Sequence, residues 1–488
     1  MPERKRRTAA APARPARPAM ADEAARERIR TDLETTFLVE AGAGSGKTKS
    51  LVDRMVALIA CGQATIQTMA AVTFTRKAAA ELRGRFQLAL ERSLRTGAAS
   101  DPESEARLRA ALRDLEQGFI GTIHSFCARL LRERPVECGI DPDFEELDDI
   151  ENAVFREQCW HDYLVLARLE ADDVLRDLDD VGLSPEDLKD AFNTLSDYPE
   201  VVPAAGRAEP PDFAGIRAGL EAFLNAAAGA VPDRRPEAGW DGLQSLLRRL
   251  EGRRGRLGFS DHRLLMETIE LLDKSPRATR KCWPSKEAAE AFEATFQAFR
   301  DGVVSPALRD WREYRHAKGL AFLGPALKFF ERSRRDRSRL NFQDQLLLAA
   351  ELLRENPEVR RYFQARYRRV LVDEFQDTDP IQAEVLFYLT GTDAGEKDWT
   401  KLVPLPGSLF LVGDPKQSIY RFRRADIDIY NLVKDGIRRG GGEVLDLTAN
   451  FRSLSGLAGW MNPIFQRAFP ATATPCQAAY APLETVRS

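Results

Sequence analysis

The sequence predicts an α/β fold in which a parallel sheet is interrupted by a large all-helical insertion. Two observations carry this prediction. Toward both ends of the chain, short apolar runs alternate with segments of helical periodicity, which is the pattern of a parallel sheet. Between residues 141 and 340 helical periodicity dominates and strand-like runs disappear. One sheet is therefore expected to be assembled from two separated parts of the chain.

The first part contains three predicted pairs of strand and helix. The apolar run Phe37–Ala41 leads into a glycine-rich loop, and apolar residues at helical spacing follow over Ser50–Ala60. A second strand is expected over Ala70–Thr75, and a third in Phe119–Phe126. The second part resumes the pattern with three more strand-like segments, Val370–Phe375, Ser408–Asp414 and Glu443–Phe451.

Composition describes a globular chain and excludes several classes of protein. The 488 residues are 43% hydrophobic and 30% charged, as in folded globular proteins. No apolar run approaches the ~20 residues of a membrane-spanning helix, so no membrane partner is predicted. The six cysteines form no CxxC pair, which indicates neither a zinc site nor a disulfide framework and suits a reducing cytoplasm.

Charge is less informative about partners. The net charge of −3 gives no general argument for nucleic acid. Two clusters of arginines, within residues 332–339 and 360–369, could line a phosphate track, but a solvated helix face is the favoured explanation of each cluster taken alone. The first twenty residues hold basic side chains among Ala and Pro, and they are expected to form a disordered tail.

A phosphate-binding loop is predicted directly after the first strand. The segment AGAGSGKT consists of Ala41, Gly42, Ala43, Gly44, Ser45, Gly46, Lys47 and Thr48. Its glycines allow successive amide groups to converge on phosphate oxygens, and Lys47 supplies a positive charge. Thr48 offers a hydroxyl ligand for Mg²⁺, and the following helix points its N-terminus at the same anion. The order of strand, loop and helix disfavours the alternative, a merely flexible turn.

Two carboxylates follow the predicted strand at Val370. Asp373 is placed to hold Mg²⁺, directly or through water, and Glu374 to orient and deprotonate an attacking water. A solvated acidic turn is the alternative for this segment taken alone. Because the chain also contains a phosphate loop, we favour a role for the two carboxylates in hydrolysis of a nucleoside triphosphate.

Five further motifs accompany the loop in a specific order. They are AVTFTRKAAAELRGR (Ala71–Arg85), GTIHSF (Gly121–Phe126), DEFQDTDPIQ (Asp373–Gln382), VGDPKQSIYRFR (Val412–Arg423) and LTANFRS (Leu447–Ser453). Together they resemble the motif set of UvrD-like superfamily-one DNA helicases. Their amino-acid sequences are most similar to those of the AddA and RecB recombination helicase subunits. The resemblance implies a RecA-like P-loop fold, ATP and Mg²⁺ as cofactors, and movement from 3′ to 5′ along DNA.

The resemblance also implies roles for individual residues and for partners. Gln417 matches the γ-phosphate sensor, and Arg452 matches an arginine that reaches the γ-phosphate. Phe74, His124 and Phe422 match positions that contact single-stranded DNA, although without the family a core position would be favoured for each aromatic. The implied partners are single-stranded and duplex DNA and a protein of AddB or RecC type, in the cytoplasm at the nucleoid.

Two departures from the family pattern stand out. Helicases of this group usually recognise adenine with a glutamine before the loop, whereas residues 21–40 contain no Gln and Glu23 is expected to take its place. A carboxylate accepts but does not donate a hydrogen bond, which puts adenine preference in doubt. The later family motifs are also absent after Arg452. The chain is therefore expected to lack most of a second motor domain and to hydrolyse ATP slowly.

The expected domains follow from these observations. They are a basic tail (1–20), a first RecA-like domain in two parts (21–140 and 341–446), the helical insertion (141–340) and the start of a second RecA-like domain (447–488). Two other functions compete with that of a helicase. A truncated module that binds nucleotide and single-stranded DNA with little turnover remains open, whereas a P-loop GTPase is disfavoured because no NKxD motif is present.

Overall fold

The computed structural model describes residues 20–97, 101–170, 172–232, 234–274, 278–420, 427–472, 474, 477 and 479–487. The chain divides into two units. One combines the segment up to Glu146 with the segment from Leu340 onward, and the other is Leu147–Arg339. The predicted basic tail, except for Met20, lies outside the described residues. Among those residues, no helix combines the length and the apolar character that crossing a membrane requires.

The first unit is built on a six-stranded sheet. In chain order the strands of the molecule are β1 (Phe37–Ala41), β2 (Met69–Thr73), β3 (Phe119–Thr122), β4 (Glu145–Glu146), β5 (Arg339–Leu340), β6 (Arg369–Val372), β7 (Leu409–Gly413), β8 (Glu443–Leu447), β9 (Ala449–Leu454) and β10 (Glu484–Arg487). The sheet order is β3-β2-β6-β7-β1-β8, and every neighbouring pair is parallel. The predicted fold class is confirmed.

Helices cover both faces of this sheet. The helices before β4 are α1 (Glu23–Thr31), α2 (Lys47–Ala60), α3 (Arg76–Thr96), α4 (Pro102–Arg113), α5 (Ile123–Glu133) and α6 (Pro135–Cys138). Alternate strand residues face opposite layers, as the pleat of a strand requires. Phe37 and Val39 pack in the core cluster that contains the apolar residues of α2 and α3, whereas Leu38 packs in the cluster of the other face.

The described residues of the second unit form helices joined by loops, and its last residue, Arg339, begins β5. Its helices are α7 (Asp149–Glu170), α8 (Asp172–Asp180), α9 (Pro185–Asp197), α10 (Phe213–Ala230), α11 (Gly242–Leu257), α12 (His262–Leu272), α13 (Lys286–Phe299) and α14 (Ser305–Asp336). Helix α14 contributes Leu308 and Trp311 to one apolar cluster and Phe322 and Phe330 to another. This 32-residue helix therefore joins the two halves of the unit.

The first unit is completed by five helices after the insertion. They are α15 (Phe342–Glu355), α16 (Pro357–Arg366), α17 (Pro380–Thr390), α18 (Ile427–Arg439) and α19 (Ser455–Ala468). Helix α15 packs between α5 and α17 on the second face of the sheet. The core on that face therefore combines residues from both sides of the helical insertion.

The segment Glu443–Phe451 differs from the single strand that its apolar pattern predicts. The structure breaks it at Thr448 into β8, which pairs with β1, and β9, which pairs in parallel with β10 in a separate two-stranded sheet. Contacts of Ala449 and Asn450 with residues near the phosphate loop accompany this break. The buried Asp22 carboxylate accepts a hydrogen bond from the Ala449 amide at 3.0 Å, and Asn450 Nδ2 donates to the Ala43 carbonyl at 2.5 Å. These contacts turn the chain away from the main sheet.

Candidate active site

Three adjacent strands bring the predicted site residues to one edge of the sheet. β6, β7 and β1 are consecutive in the sheet order, and parallel strands end at the same edge. In open α/β sheets ligands bind in the crevice outside these carboxyl ends. The loop after β1, the turn Phe375–Asp377 after β6 and the turn Pro415–Gln417 after β7 all lie there.

The eight predicted loop residues are placed as the motif requires. Ala41 ends β1, the next five residues form the turn, and Lys47 and Thr48 begin α2. Gly44 and Gly46 have φ angles of 78° and 87°, a left-handed backbone that glycine adopts without a steric penalty. The Ser45 hydroxyl donates to the Gly42 carbonyl at 2.7 Å. The loop therefore leads directly into the N-terminus of α2, the end of a helix that favours an anion.

A buried ion pair that sequence reasoning missed supports the loop from α1. Arg26 Nη2 donates to the Ser45 carbonyl at 2.8 Å, and the same guanidinium forms two hydrogen bonds to Asp22. Burial alone would raise the pKa of Asp22. The hydrogen bonds from Arg26 and from the Ala449 amide outweigh burial and hold that pKa below its ordinary value. The available signal was an acidic and a basic residue four positions apart on one helix.

Glu23, which is expected to stand where the family has its adenine-reading glutamine, belongs to α1. Its side chain is about half exposed and its carboxylate lies 3.5 Å from Arg30, on the solvent side of α1. The residue of α1 that touches the loop is Arg26, whose guanidinium also lies 5.1 Å from the centre of the Phe451 ring.

The lysine of the loop meets the predicted general base. Lys47 Nζ lies 2.7 Å from Glu374 Oε2, and the Lys47 side chain is only 11% exposed. Glu374 has a φ of 55°, an uncommon left-handed conformation for a residue other than glycine. Such strain occurs at functional sites, where the surrounding structure holds a side chain in a required direction. The two residues are far apart in sequence and are joined only by the fold.

The two predicted metal ligands also meet. Thr48 Oγ1 donates to Asp373 Oδ2 at 3.2 Å. Burial, followed by the neighbouring charge of Glu374, raises the pKa of Asp373 to about 6. A hydroxyl and a buried carboxylate beside a phosphate loop are the oxygen donors that Mg²⁺ uses at nucleotide sites. Nearby, Asp377 Oδ1 is buried without a hydrogen-bond partner. The residues present therefore fit a magnesium nucleotide.

The two predicted γ-phosphate residues flank the loop on different segments. Gln417 is half-buried and its Nε2 donates to Asp414 Oδ2 at 2.7 Å. Arg452 lies in β9, whose neighbouring residue Phe451 donates its amide to the Gly44 carbonyl at 2.9 Å. A Cβ on Gly44 would come within 2.6 Å of the Arg452 Cβ. The backbone of Arg452 is therefore held directly against the phosphate loop.

The predicted DNA-facing residues lie at the same edge, as far as they are described. Phe74 follows β2 and stacks on Tyr420, with ring centres 5.5 Å apart. His124 follows β3 and lies 5.4 Å from Phe342, and burial lowers the pKa of this histidine. Phe422 lies outside the described residues. Tyr420 was not singled out from the sequence, because its importance depends on the ring that it contacts.

Comparison with known proteins agrees with this architecture. The model of the UvrD/REP helicase N-terminal domain matches residues 21–437. Three similar relatives are named as one of the subunits of an ATP-dependent helicase/nuclease. The protein of Desulforudis audaxviator is 30% identical over 89% of this chain and 39% of its own length. Those of Listeria welshimeri and Geobacillus thermodenitrificans are 27% and 28% identical over 88% of this chain and 38% of their own lengths.

The chain thus spans about two fifths of the length of these curated relatives. The family match covers five of the six strands of the main sheet (all but β8), the helical unit, the phosphate loop and the two carboxylates after β6. By sequence and by the fold that carries its site, the chain belongs to the UvrD/REP helicase N-terminal domain family.

Proposed function

We propose that this chain is the ATP-hydrolysing part of a DNA helicase and translocase that moves 3′ to 5′ and acts in recombinational repair. The observation that carries the proposal is the meeting of Lys47 with Glu374, and of Thr48 with Asp373, at one sheet edge. A cation for phosphates, an oxygen pair for a metal and a carboxylate base are the parts that phosphoryl transfer to water requires.

Each residue of the site has a chemical role in this proposal. The loop amides and Lys47 bind the phosphates, and Thr48 and Asp373 would hold Mg²⁺. When bound, Mg²⁺ neutralises charge on the phosphate oxygens. Glu374 orients the attacking water and accepts its proton once Lys47 has left its carboxylate for the phosphates. Gln417 and Arg452 bind the γ-phosphate from the segments after β7 and in β9.

DNA is proposed to run over the aromatic pair of Phe74 and Tyr420, with His124 and Phe422 as further contacts. Stacking on such rings is independent of base sequence, as a translocating protein requires.

The end of the chain forms a small unit apart from the main sheet, in which β9 and β10 pair in parallel and α19 connects them. This arrangement supports an assignment of residues 447–488 to the start of a second RecA-like domain. The relatives are named as one component of a larger helicase/nuclease, which supports a partner protein of AddB or RecC type and a location at the nucleoid in the cytoplasm.

The proposal is tested with the purified chain, ATP, Mg²⁺ and single-stranded DNA. Hydrolysis is measured with and without DNA, and movement is followed by displacement of streptavidin from biotin at either DNA end. The expected result is slow hydrolysis that Lys47→Ala abolishes, with any displacement confined to the 5′ end. Displacement from the 3′ end would contradict the direction.

Binding of nucleotide and DNA without turnover would favour the second candidate, a binding module with little hydrolysis. In that candidate the ion pair of Lys47 with Glu374 would persist and keep the phosphate-binding cation and the base engaged with each other. Slow hydrolysis that Glu374→Gln abolishes would decide against it.

A further inference from the structure

The side chain of Gln376 bridges the two turns that carry the hydrolytic residues. It is only 4% exposed. Its Nε2 donates to Glu374 Oε2 at 2.7 Å, while its Oε1 accepts from the Asp414 amide at 2.8 Å. One carboxamide therefore links the turn after β6 to the turn after β7, using both its donor and its acceptor.

Further contacts make this link close and specific. The Ser418 hydroxyl donates to the Gln376 carbonyl at 3.1 Å. A Cβ on Gly413 would come within 2.9 Å of Gln376 Oε1, so the end of β7 approaches the amide only because position 413 is glycine. Asp414, whose amide Gln376 binds, accepts in turn from Gln417 Nε2 at 2.7 Å. The predicted base and the predicted γ-phosphate sensor are thus connected by three hydrogen bonds through two residues, Gln376 and Asp414.

The bond to Glu374 has a separate consequence for the base. Lys47 and Gln376 both contact the same carboxylate atom, Oε2, at 2.7 Å each. When Lys47 turns to the phosphates of a bound nucleotide, the Gln376 amide still holds the carboxylate in place. Because the donor is a neutral amide, it fixes the direction of the carboxylate while leaving it free to accept a proton from water. A hydrogen bond to an ionised group is among the stronger ones in proteins.

We propose that Gln376 is a positioning residue that holds the Glu374 base in a fixed relation to the 414–418 segment and its Gln417. The proposal rests on the proposed ATP hydrolysis and adds a residue to its machinery. It assigns Gln376 no contact with the nucleotide, and it therefore predicts an effect on the rate of hydrolysis and none on nucleotide affinity.

Two substitutions separate the two ends of the amide. Gln376→Glu keeps the length and the acceptor for the Asp414 amide, but removes the donor to Glu374. Gln376→Met removes both contacts at similar volume. Each variant should bind ATP within about twofold of the wild type and hydrolyse it about ten- to a hundred-fold more slowly in single turnover, the range seen when a supporting hydrogen bond is lost. A structural role through Asp414 alone would leave Gln376→Glu close to the wild-type rate.

A matched control is available in the same unit. Gln364 also uses its Nε2 for two hydrogen bonds, to the carbonyls of Tyr388 and Gly391, each at 2.9 Å. Gln364→Met should lower the temperature of unfolding without changing the single-turnover rate. This comparison separates loss of buried hydrogen bonds in general from loss of the contact to the base.

The decisive measurement is a double-mutant cycle with Glu374→Gln. If Gln376 acts through Glu374, adding Gln376→Met to Glu374→Gln should not slow the residual hydrolysis further. Two results would overturn the positioning role while leaving the proposed function standing. One is that the rate losses of the two single variants multiply in the double variant, and the other is that the Gln376→Met chain hydrolyses ATP as fast as the wild type. A wild-type chain that binds ATP but never hydrolyses it would instead contradict the proposed function, and the positioning role with it. Should Gln376→Met fail to fold, Gln376→Glu enters the same cycle.

Discussion

The ammonium group of Lys47 lies 2.7 Å from Oε2 of Glu374, so the phosphate-binding cation and the predicted base are ion-paired with each other in this structure. A nucleotide that binds must replace this carboxylate with its own phosphate oxygens around Lys47. The exchange would leave the Glu374 carboxylate, still bound by Gln376, free to accept a proton from the attacking water. Binding and activation of the base are therefore expected to be one event.

Replacing Lys47 with alanine should weaken ATP binding about ten- to a hundred-fold, since hydrogen bonds to charged groups contribute roughly 1.5 to 3 kcal/mol. Titration with a fluorescent nucleotide measures this loss. Lys49→Ala is the matched control, because Lys49 lies in the first turn of the same helix but is 70% exposed and pairs with Asp53. Equal affinities of the Lys47→Ala and Lys49→Ala chains would refute the phosphate-loop assignment.

Replacing Glu374 with glutamine should preserve ATP binding and slow hydrolysis by about 10²- to 10⁴-fold, the usual contribution of a general base. Affinity should equal or exceed that of the wild type, because Lys47 loses the carboxylate that competes with phosphate. Glu384→Gln serves as the control, since Glu384 is half-buried and pairs with Arg354 away from the sheet edge. Parallel loss of binding and hydrolysis in Glu374→Gln would mean that Glu374 is structural.

Alanine at position 44 should abolish nucleotide binding. Its φ of 78° costs an L-residue about 1 to 2 kcal/mol, and the new Cβ would collide with the Cβ of Arg452. In contrast, Gly84→Ala in α3 adds a Cβ that meets no atom within 4 Å and should stabilise the fold by about 0.5 to 1 kcal/mol. Nucleotide titration and thermal unfolding of both variants test the pair. Normal binding by Gly44→Ala would show that the loop tolerates a rearranged backbone.

Removing the Phe74 ring should weaken binding of single-stranded DNA by about five- to a hundred-fold at every salt concentration. A stacked base contributes roughly 1 to 3 kcal/mol, and a ring releases no counterions. Fluorescence anisotropy with a labelled oligonucleotide measures affinity and its salt slope. Tyr362→Ala is the control, because Tyr362 lies on α16 and donates to Glu133. An affinity that falls only as the Phe74→Ala chain unfolds would place this ring in the core.

The stability of the protein should depend on His124 in mildly acidic solution. Burial lowers the pKa of His124 in the folded state, so below the ordinary value of about 6.5 the unfolded chain binds the proton more readily. The free energy of unfolding should therefore fall as pH drops from about 7 to 5. His124→Phe keeps a ring against Phe342 and should make this dependence shallower, as measured by urea unfolding across that range. An unchanged slope would mean that His124 does not contribute to it.

Sequence predicted the parts of this site that lie within one continuous segment. The phosphate loop and the pair of carboxylates after β6 follow from local patterns, and the fold class follows from the alternation of strands and helices. The supports of the site come from distant segments and could not be predicted. Arg26 of α1 binds the carbonyl of Ser45 in the phosphate loop. Gln376, in the turn after β6, binds the amide of Asp414, which follows β7. Glutamine and arginine are common surface residues, and only the fold shows that these two are buried contacts.

The placement of β6 and β7 in the middle of the sheet has a consequence for how the protein is made. β1 and β2 are not neighbours, because the two strands that lie between them are encoded after the whole helical unit. A ribosome that adds about 5 to 20 residues per second needs roughly ten to fifty seconds to pass from β3 to β6. During that time the edge of β1 that pairs with β7 and the edge of β2 that pairs with β6 have no partner strands. Nascent chains of this protein are therefore expected to depend on chaperones until β7 has emerged, and chains stalled within the helical unit are expected to aggregate.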